Sequence, residues 1–153
     1  LGEAQWLWLE QELKNSDAQI HLIGSGIQIL PTQHNYEKWN TFPQEREKLF
    51  QLLSQYKVPG AILMSGDRHI GELSKIEITG LDYSLVELTT SGLTHTYENA
   101  SEANNLRIGQ LTDQLNFGFF EIDWTKNKPQ VKVAIIGENE KVYQTYEINF
   151  NQK

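Results

Sequence analysis

Ala61-Ile62-Leu63-Met64-Ser65-Gly66-Asp67-Arg68-His69 is the stretch that most constrains this chain. An apolar run of strand length stops at a small-residue turn, and a carboxylate and an imidazole follow two residues apart. An apolar run of this length bounded by turn residues reads as a buried strand. In an extended turn, positions i and i+2 face the same side, so Asp67 and His69 can converge while Arg68 points away. Oxygen and imidazole donors held rigidly at a strand end suit a metal ion. The bland reading is a turn whose polar residues merely hydrogen-bond at the surface.

The flanking sequence alternates helix and strand signals, then turns to β. Trp6, Leu9 and Leu13 fall at helical spacing, so a helix is expected over 3–14, with Glu3 in its first turn and Lys14 in its last. A strand is expected at 19–23, broken by Gly24-Ser25-Gly26, with Ile27 to Leu30 as a short apolar segment. Residues 32–43 carry His34, Tyr36, Trp39 and Phe42 without a regular period. A second helix is expected at 42–56. Thr41 with Gln44 resembles a capping box, Pro43 suits a first turn, and Leu49, Phe50, Leu53 and Tyr56 form the apolar stripe. Beyond the Asp-Arg-His turn, strands are expected at 75–79, 84–90, 117–124, 131–136 and 142–150. Residues 93–115 read as a long polar loop, of the kind that is functional or disordered. The expected architecture is one α/β unit over residues 1–153, with helices on one face of a sheet and a site beyond the strand ends.

Composition narrows the partners. Net charge is −7, with the acidic residues scattered, which argues against a nucleic-acid backbone or an anionic membrane. There are no cysteines, so disulfides, iron–sulfur clusters and thiolate zinc sites are excluded. No apolar run is long enough to span a bilayer and no signal peptide is visible. The chain opens on Leu1 almost directly before a helix, as a piece of a longer protein would. Asn99-Ala100-Ser101 matches the glycosylation triplet, a pattern common by chance.

Six segments then occur in a familiar order. They are Gln5-Trp6-Leu7, Gly24-Ser25-Gly26-Ile27-Gln28, Phe42-Pro43 with Glu45-Arg46, Ser65 to His69, Glu87 to His95, and Asn116-Phe117-Gly118 with Ile122-Asp123-Trp124. Together they resemble the C-terminal half of alkaline phosphatase D (PhoD-like) proteins, in the calcineurin-like metallophosphoesterase superfamily. The resemblance covers residues 1 to about 136. It implies half of a sandwich of two packed sheets flanked by helices, carrying part of a two-metal centre that hydrolyses phosphate esters. Gly66-Asp67-Arg68-His69 stands where the superfamily has Gly-His-x-His, so the match makes Asp67 and His69 metal ligands. The Gly-Asn-His motif is absent, so most ligands are expected from an N-terminal half outside this chain, and the chain alone is expected to be inactive or weak.

The same match puts His95 near the phosphate or the metals; a loop histidine bracing Ser91-Gly92 is the plain alternative. Gln28, Arg68 and Trp39 are candidate substrate-binding residues. The plain alternatives are a structural amide for Gln28, a structural or rim position for Arg68, and for Trp39 and His34 a loop packed by its own rings. His21 reads as a half-buried structural residue, and Arg46 as an ion-paired side chain on a solvated helix face. Asn104, Asn105 and Arg107 lie in the polar loop with no role assigned. Asp plus His does not choose among calcium, iron, manganese and zinc, singly or mixed. The resemblance favours an exported, periplasmic or secreted, parent. Two other readings stay open: a non-catalytic β-rich structural or binding module, and a half-site completed by a second polypeptide.

Overall fold

The computed structural model describes residues 1–150. Its elements are α1 (Glu3–Asn15), β1 (His21–Ser25), α2 (Pro43–Gln55), β2 (Ala61–Ser65), β3 (Gly71–Glu77), β4 (Ser84–Thr90), β5 (Arg107–Thr112), β6 (Phe117–Asp123), β7 (Gln130–Ile136) and β8 (Val142–Ile148). Five strands form one sheet in the order β1-β2-β4-β3-β5, and β6-β7-β8 form a second, antiparallel sheet. The first three strands of the large sheet run parallel, while β3 is antiparallel to both β4 and β5.

Strand periodicity divides the core into two layers. Ala61, Leu63 and Leu85 pack with Trp6 and Leu13 of α1 and with Leu49, Phe50, Leu52 and Leu53 of α2. Ile62, Val86 and Leu88 face the other way and pack with Val131, Val133 and Ile135 of the small sheet. β2 and β4 are therefore covered on both faces, which is why they read as nearly continuous apolar runs. The layers are helices, large sheet and small sheet, which is the expected two-sheet sandwich with helices outside it.

Several local expectations are corrected. β1 is shifted to 21–25, because Gly24 and Ser25 pair with Met64 and Ser65 instead of ending the strand. β3 begins at Gly71, not at 75, since its first four residues are buried and paired to β4. The segment expected to be a loop over 93–115 contains β5; its Arg-Ile-Gly-Gln-Leu-Thr sequence is polar because it is a half-exposed edge. β4 pairs in parallel with β2, so this part of the sheet is less antiparallel than expected. Pro43 does stand in the first turn of α2, but no side chain caps that helix, and Thr41 lies in a short 3-10 turn over Trp39–Thr41. The expected 142–150 strand ends at Ile148.

The two sheets approach closely just after the Asp-Arg-His turn. A Cβ added at Gly71 would lie 2.9 Å from Ile135 Cγ2 and 3.0 Å from the side-chain oxygen of buried Asn116. Asn116 also crowds Gly92, and its backbone N–H bonds the Gly92 carbonyl at 2.9 Å. Interiors packed at this density tolerate extra methyl groups poorly. Gly71→Ala is expected to lower unfolding stability by about 1–3 kcal/mol, measured as a drop in urea midpoint. An unchanged midpoint would show that the sheets can separate there at no cost.

Candidate active site

The carboxyl ends of the three parallel strands line up. Ser25 of β1 pairs with Ser65 of β2, which pairs with Thr89 of β4. Ser65 and Thr89 share a hydroxyl hydrogen bond of 2.8 Å. Crevices beyond such strand ends are where α/β sheets place ligands, and the Asp-Arg-His turn leaves β2 at this edge.

That turn is not extended. Asp67 and His69 have φ of 66° and 50°, in the left-handed region. The Arg68 N–H donates to the Gly66 carbonyl at 2.8 Å, closing a γ-turn with Asp67 at its centre. The extended turn expected from sequence is therefore corrected, while Arg68 does point away from solvent. Asp67 is exposed and His69 half-buried, while Arg68 is only 3% exposed. A non-glycine residue in this region costs roughly 1–3 kcal/mol and persists where the surroundings over-determine it. Here the Ser91 hydroxyl accepts the His69 N–H at 2.8 Å, and the His69 carbonyl accepts the Tyr97 N–H at 3.2 Å.

His95 joins the pair. Its ring meets the His69 ring edge-on at a centroid distance of 4.0 Å, and the Tyr97 ring stacks on His69 at 5.2 Å. His69 and His95 thus meet, while Asp67 is exposed two residues back along the turn. Among the described residues, no group of three or more His, Cys, Asp or Glu could hold a metal ion. The donors present suit a metal in kind, and the buried Nδ1 of His69 has no hydrogen-bond partner. In number they fall short of the three or more such groups that would hold a metal ion.

The other candidates lie behind or beside this cluster. Arg68 pairs with Glu102 and stacks over the Tyr36 ring at 3.6 Å, so its guanidinium is committed within the protein. Gln28 is buried; its amide N–H donates to Glu72 at 2.7 Å and to Thr89 at 3.0 Å. Trp39 is half-buried beside the row of strand ends and donates from its indole to the Ser25 hydroxyl at 2.9 Å. His21 is structural, held between the Pro59 carbonyl and the Ser16 hydroxyl at 2.7 and 2.9 Å. Arg46 departs from the expected surface ion pair: it reaches inward and donates to the carbonyls of Ile29 and Leu30 at 2.6 and 2.9 Å.

Sequence reading missed the buried carboxylates. Glu72 accepts from Gln28, from Asn104 at 3.1 Å and from Arg107 at 2.6 Å, which gives the two loop residues a structural role. Glu87 is fully buried and accepts the N–H groups of Ile29 and Leu30 at 2.8 and 2.6 Å. A glutamate inside a strand as apolar as 84–90 is the signal that could have found it, since Glu is almost never buried without partners. Tyr97 and Glu102 left no such mark.

Two expectations follow. Asp67→Gly removes the Cβ from a left-handed position and is expected to raise stability by about 1 kcal/mol while removing a ligand candidate; a lowered urea midpoint would show that the turn is unstrained. His34 is buried beside Lys38 and Arg68, and burial first, then these cations, lower its pKa from 6.5 to about 4. Its neutral form is the native one, so this contribution to stability is complete above pH 6.5 and is lost as pH falls towards about 4. Urea midpoints for the protein should fall over that window, and His34→Asn should flatten the fall; equal slopes would assign it to other groups.

Comparison with known proteins bears on the family and the fold. The family model for PhoD-like phosphatases matches residues 1–143. A solved structure of PhoD superposes with a TM-score of 0.62 at 14% sequence identity, covering 100% of this chain and 37% of that one. No curated protein sequence matches. The chain spans little more than a third of the PhoD structure it matches. With its two-sheet sandwich and the family match over nearly its whole length, the chain belongs to the PhoD-like phosphatase family.

Proposed function

We propose that this chain is the C-terminal part of a metal-dependent phosphoric ester hydrolase, and that Asp67 and His69 are the metal ligands it contributes. The observation that carries the reading is the strained turn that presents both side chains at the parallel strand ends, with His95 against His69. Divalent or mixed metal ions would supply Lewis acidity to a phosphoryl oxygen and lower the pKa of a water towards about 7.

The chain's own residues then have separate tasks. The Asp67 carboxylate and the His69 imidazole hold their end of the metal site. His95 is exposed and contacts the His69 ring, a position from which an imidazole could give a proton to the leaving alcohol oxygen. Gln28 and Arg68 act from behind: the first braces Thr89 at the strand ends, and the second locks the turn to Glu102. Trp39 borders the site at Ser25, within reach of a bulky ester group.

The remaining ligands would come from the part of a PhoD-like protein that this chain does not span. Support comes from the unpaired edge of β1. A groove of about 580 Å³ runs beside it, lined by Trp8, Leu22, Trp39 and Phe42. Trp8, Leu22 and Phe42 are 57%, 46% and 54% exposed, an apolar cluster that a further layer of the same protein would bury. An exported parent fits the family resemblance. No helix among the described residues is long and apolar enough to cross a membrane.

The test is calorimetry with manganese, zinc and calcium on the chain and on Asp67→Ala/His69→Ala, alongside hydrolysis of bis-p-nitrophenyl phosphate. Weak binding lost in the double variant is expected, with little turnover by the chain alone. In the longer protein, the same double substitution should reduce turnover by at least about a hundredfold, the scale expected when a metal ligand is lost. Unchanged metal binding and turnover in the variant would overturn the assignment.

A further inference from the structure

We propose that Tyr97 is a positioning residue that sets the orientation of the His69 ring; the purpose of that orientation rests on the metal-ligand reading above. A ligating histidine is ordinarily oriented by a hydrogen bond to its second nitrogen. Among the described residues neither ring nitrogen of His69 makes a hydrogen bond, and Nδ1 is buried, so whichever nitrogen faced a metal the other would have no such partner. Its ring direction must therefore be set by packing. Two rings supply it: Tyr97 stacks on His69 with an interplanar angle of 26°, and His95 meets it at 76°.

Tyr97 is held in place independently of that stack. Its N–H bonds the His69 carbonyl, and its own carbonyl accepts the Ala100 N–H at 3.3 Å. The Asn99 N–H donates to the Asp113 carboxylate at 2.9 Å. Further along, Glu102 pairs with Arg68, and the Glu102 carbonyl accepts from Arg107 at 2.7 Å. The segment from Gly92 to Leu106 is thus a strap tied at both ends across the ligand turn. Tyr97 itself is 50% exposed, so hydrophobic burial alone does not account for its placement on His69. A stacked aromatic pair of this kind changes an equilibrium roughly two- to tenfold.

The experiment uses NMR of the metal-free chain with labelled histidine rings, for wild type, Tyr97→Phe, Tyr97→Leu and Tyr97→Ala. Tyr97→Phe should keep the His69-to-His95 ring contacts and the ring-current shift of His69. Tyr97→Leu and Tyr97→Ala should lose both, while the methyl spectra of Leu63 and Val86 stay in place. Ring contacts retained in both the Leu and Ala variants would overturn the proposal. Manganese titration then separates the two readings. If wild type binds and Tyr97→Ala binds about five- to tenfold more weakly with Tyr97→Phe unaffected, the orientation serves the metal. Manganese affinity equal in wild type and Tyr97→Ala would overturn that purpose. If wild type and Asp67→Ala/His69→Ala behave alike, the ligand reading fails, and the ring contacts still decide the role of Tyr97.

Discussion

The Glu87 carboxylate holds the interior of this fold together. It sits fully buried in β4, where an uncompensated charge would be costly. Burial pushes its pKa up, while the backbone N–H groups of Ile29 and Leu30 pull it back. Arg46 grips the carbonyls of the same two residues from α2. One short, apolar, irregular segment is therefore clamped between a strand carboxylate and a helix guanidinium. Without that clamp, these buried peptide groups of Ile29 and Leu30 would lose their side-chain partners. Gln28 precedes the clamp, so its amide is delivered to Glu72 and Thr89 beneath the strand ends.

A second tier of polar contacts builds outward from this frame. Glu72 gathers Gln28, Asn104 and Arg107, and so ties β3 to the end of the strap and the start of β5. Arg68 and Glu102 fasten the strap to the Asp-Arg-His turn. The left-handed backbone at Asp67 and His69 is affordable only because these surroundings leave it no easier path. The turn leaves Asp67 exposed, His69 half-buried and Arg68 inward. The same rigidity is what a metal site needs from its ligands.

The apolar part of the fold was legible because its signals are local. Both helices, the buried β2 and β4, and the strands of the small sheet followed from spacing and turn residues. The beginning of β3 and all of β5 were not legible. Many of their residues are polar and are buried or paired by partners distant in sequence, such as Glu72 with Arg107, 35 residues away. Arg46 was misjudged for the same reason: helical neighbours suggested a surface pair, whereas its partners are carbonyls of another segment. At the site, Asp67 and His69 stood out by type and spacing; Glu72, Glu87, Tyr97 and Glu102 did not.

The chain's sequence by itself determined the two helices, the buried strands β2 and β4 and the candidate ligand pair, since side-chain period and turn chemistry act between near neighbours. Only the tertiary structure decided the γ-turn that aims those ligands, the meeting of His69 with His95 and Tyr97, and the burial of two glutamates in hydrogen-bonded networks. Each of these depends on groups distant in sequence meeting at short range, where hydrogen bonding and packing, not local propensity, choose the conformation.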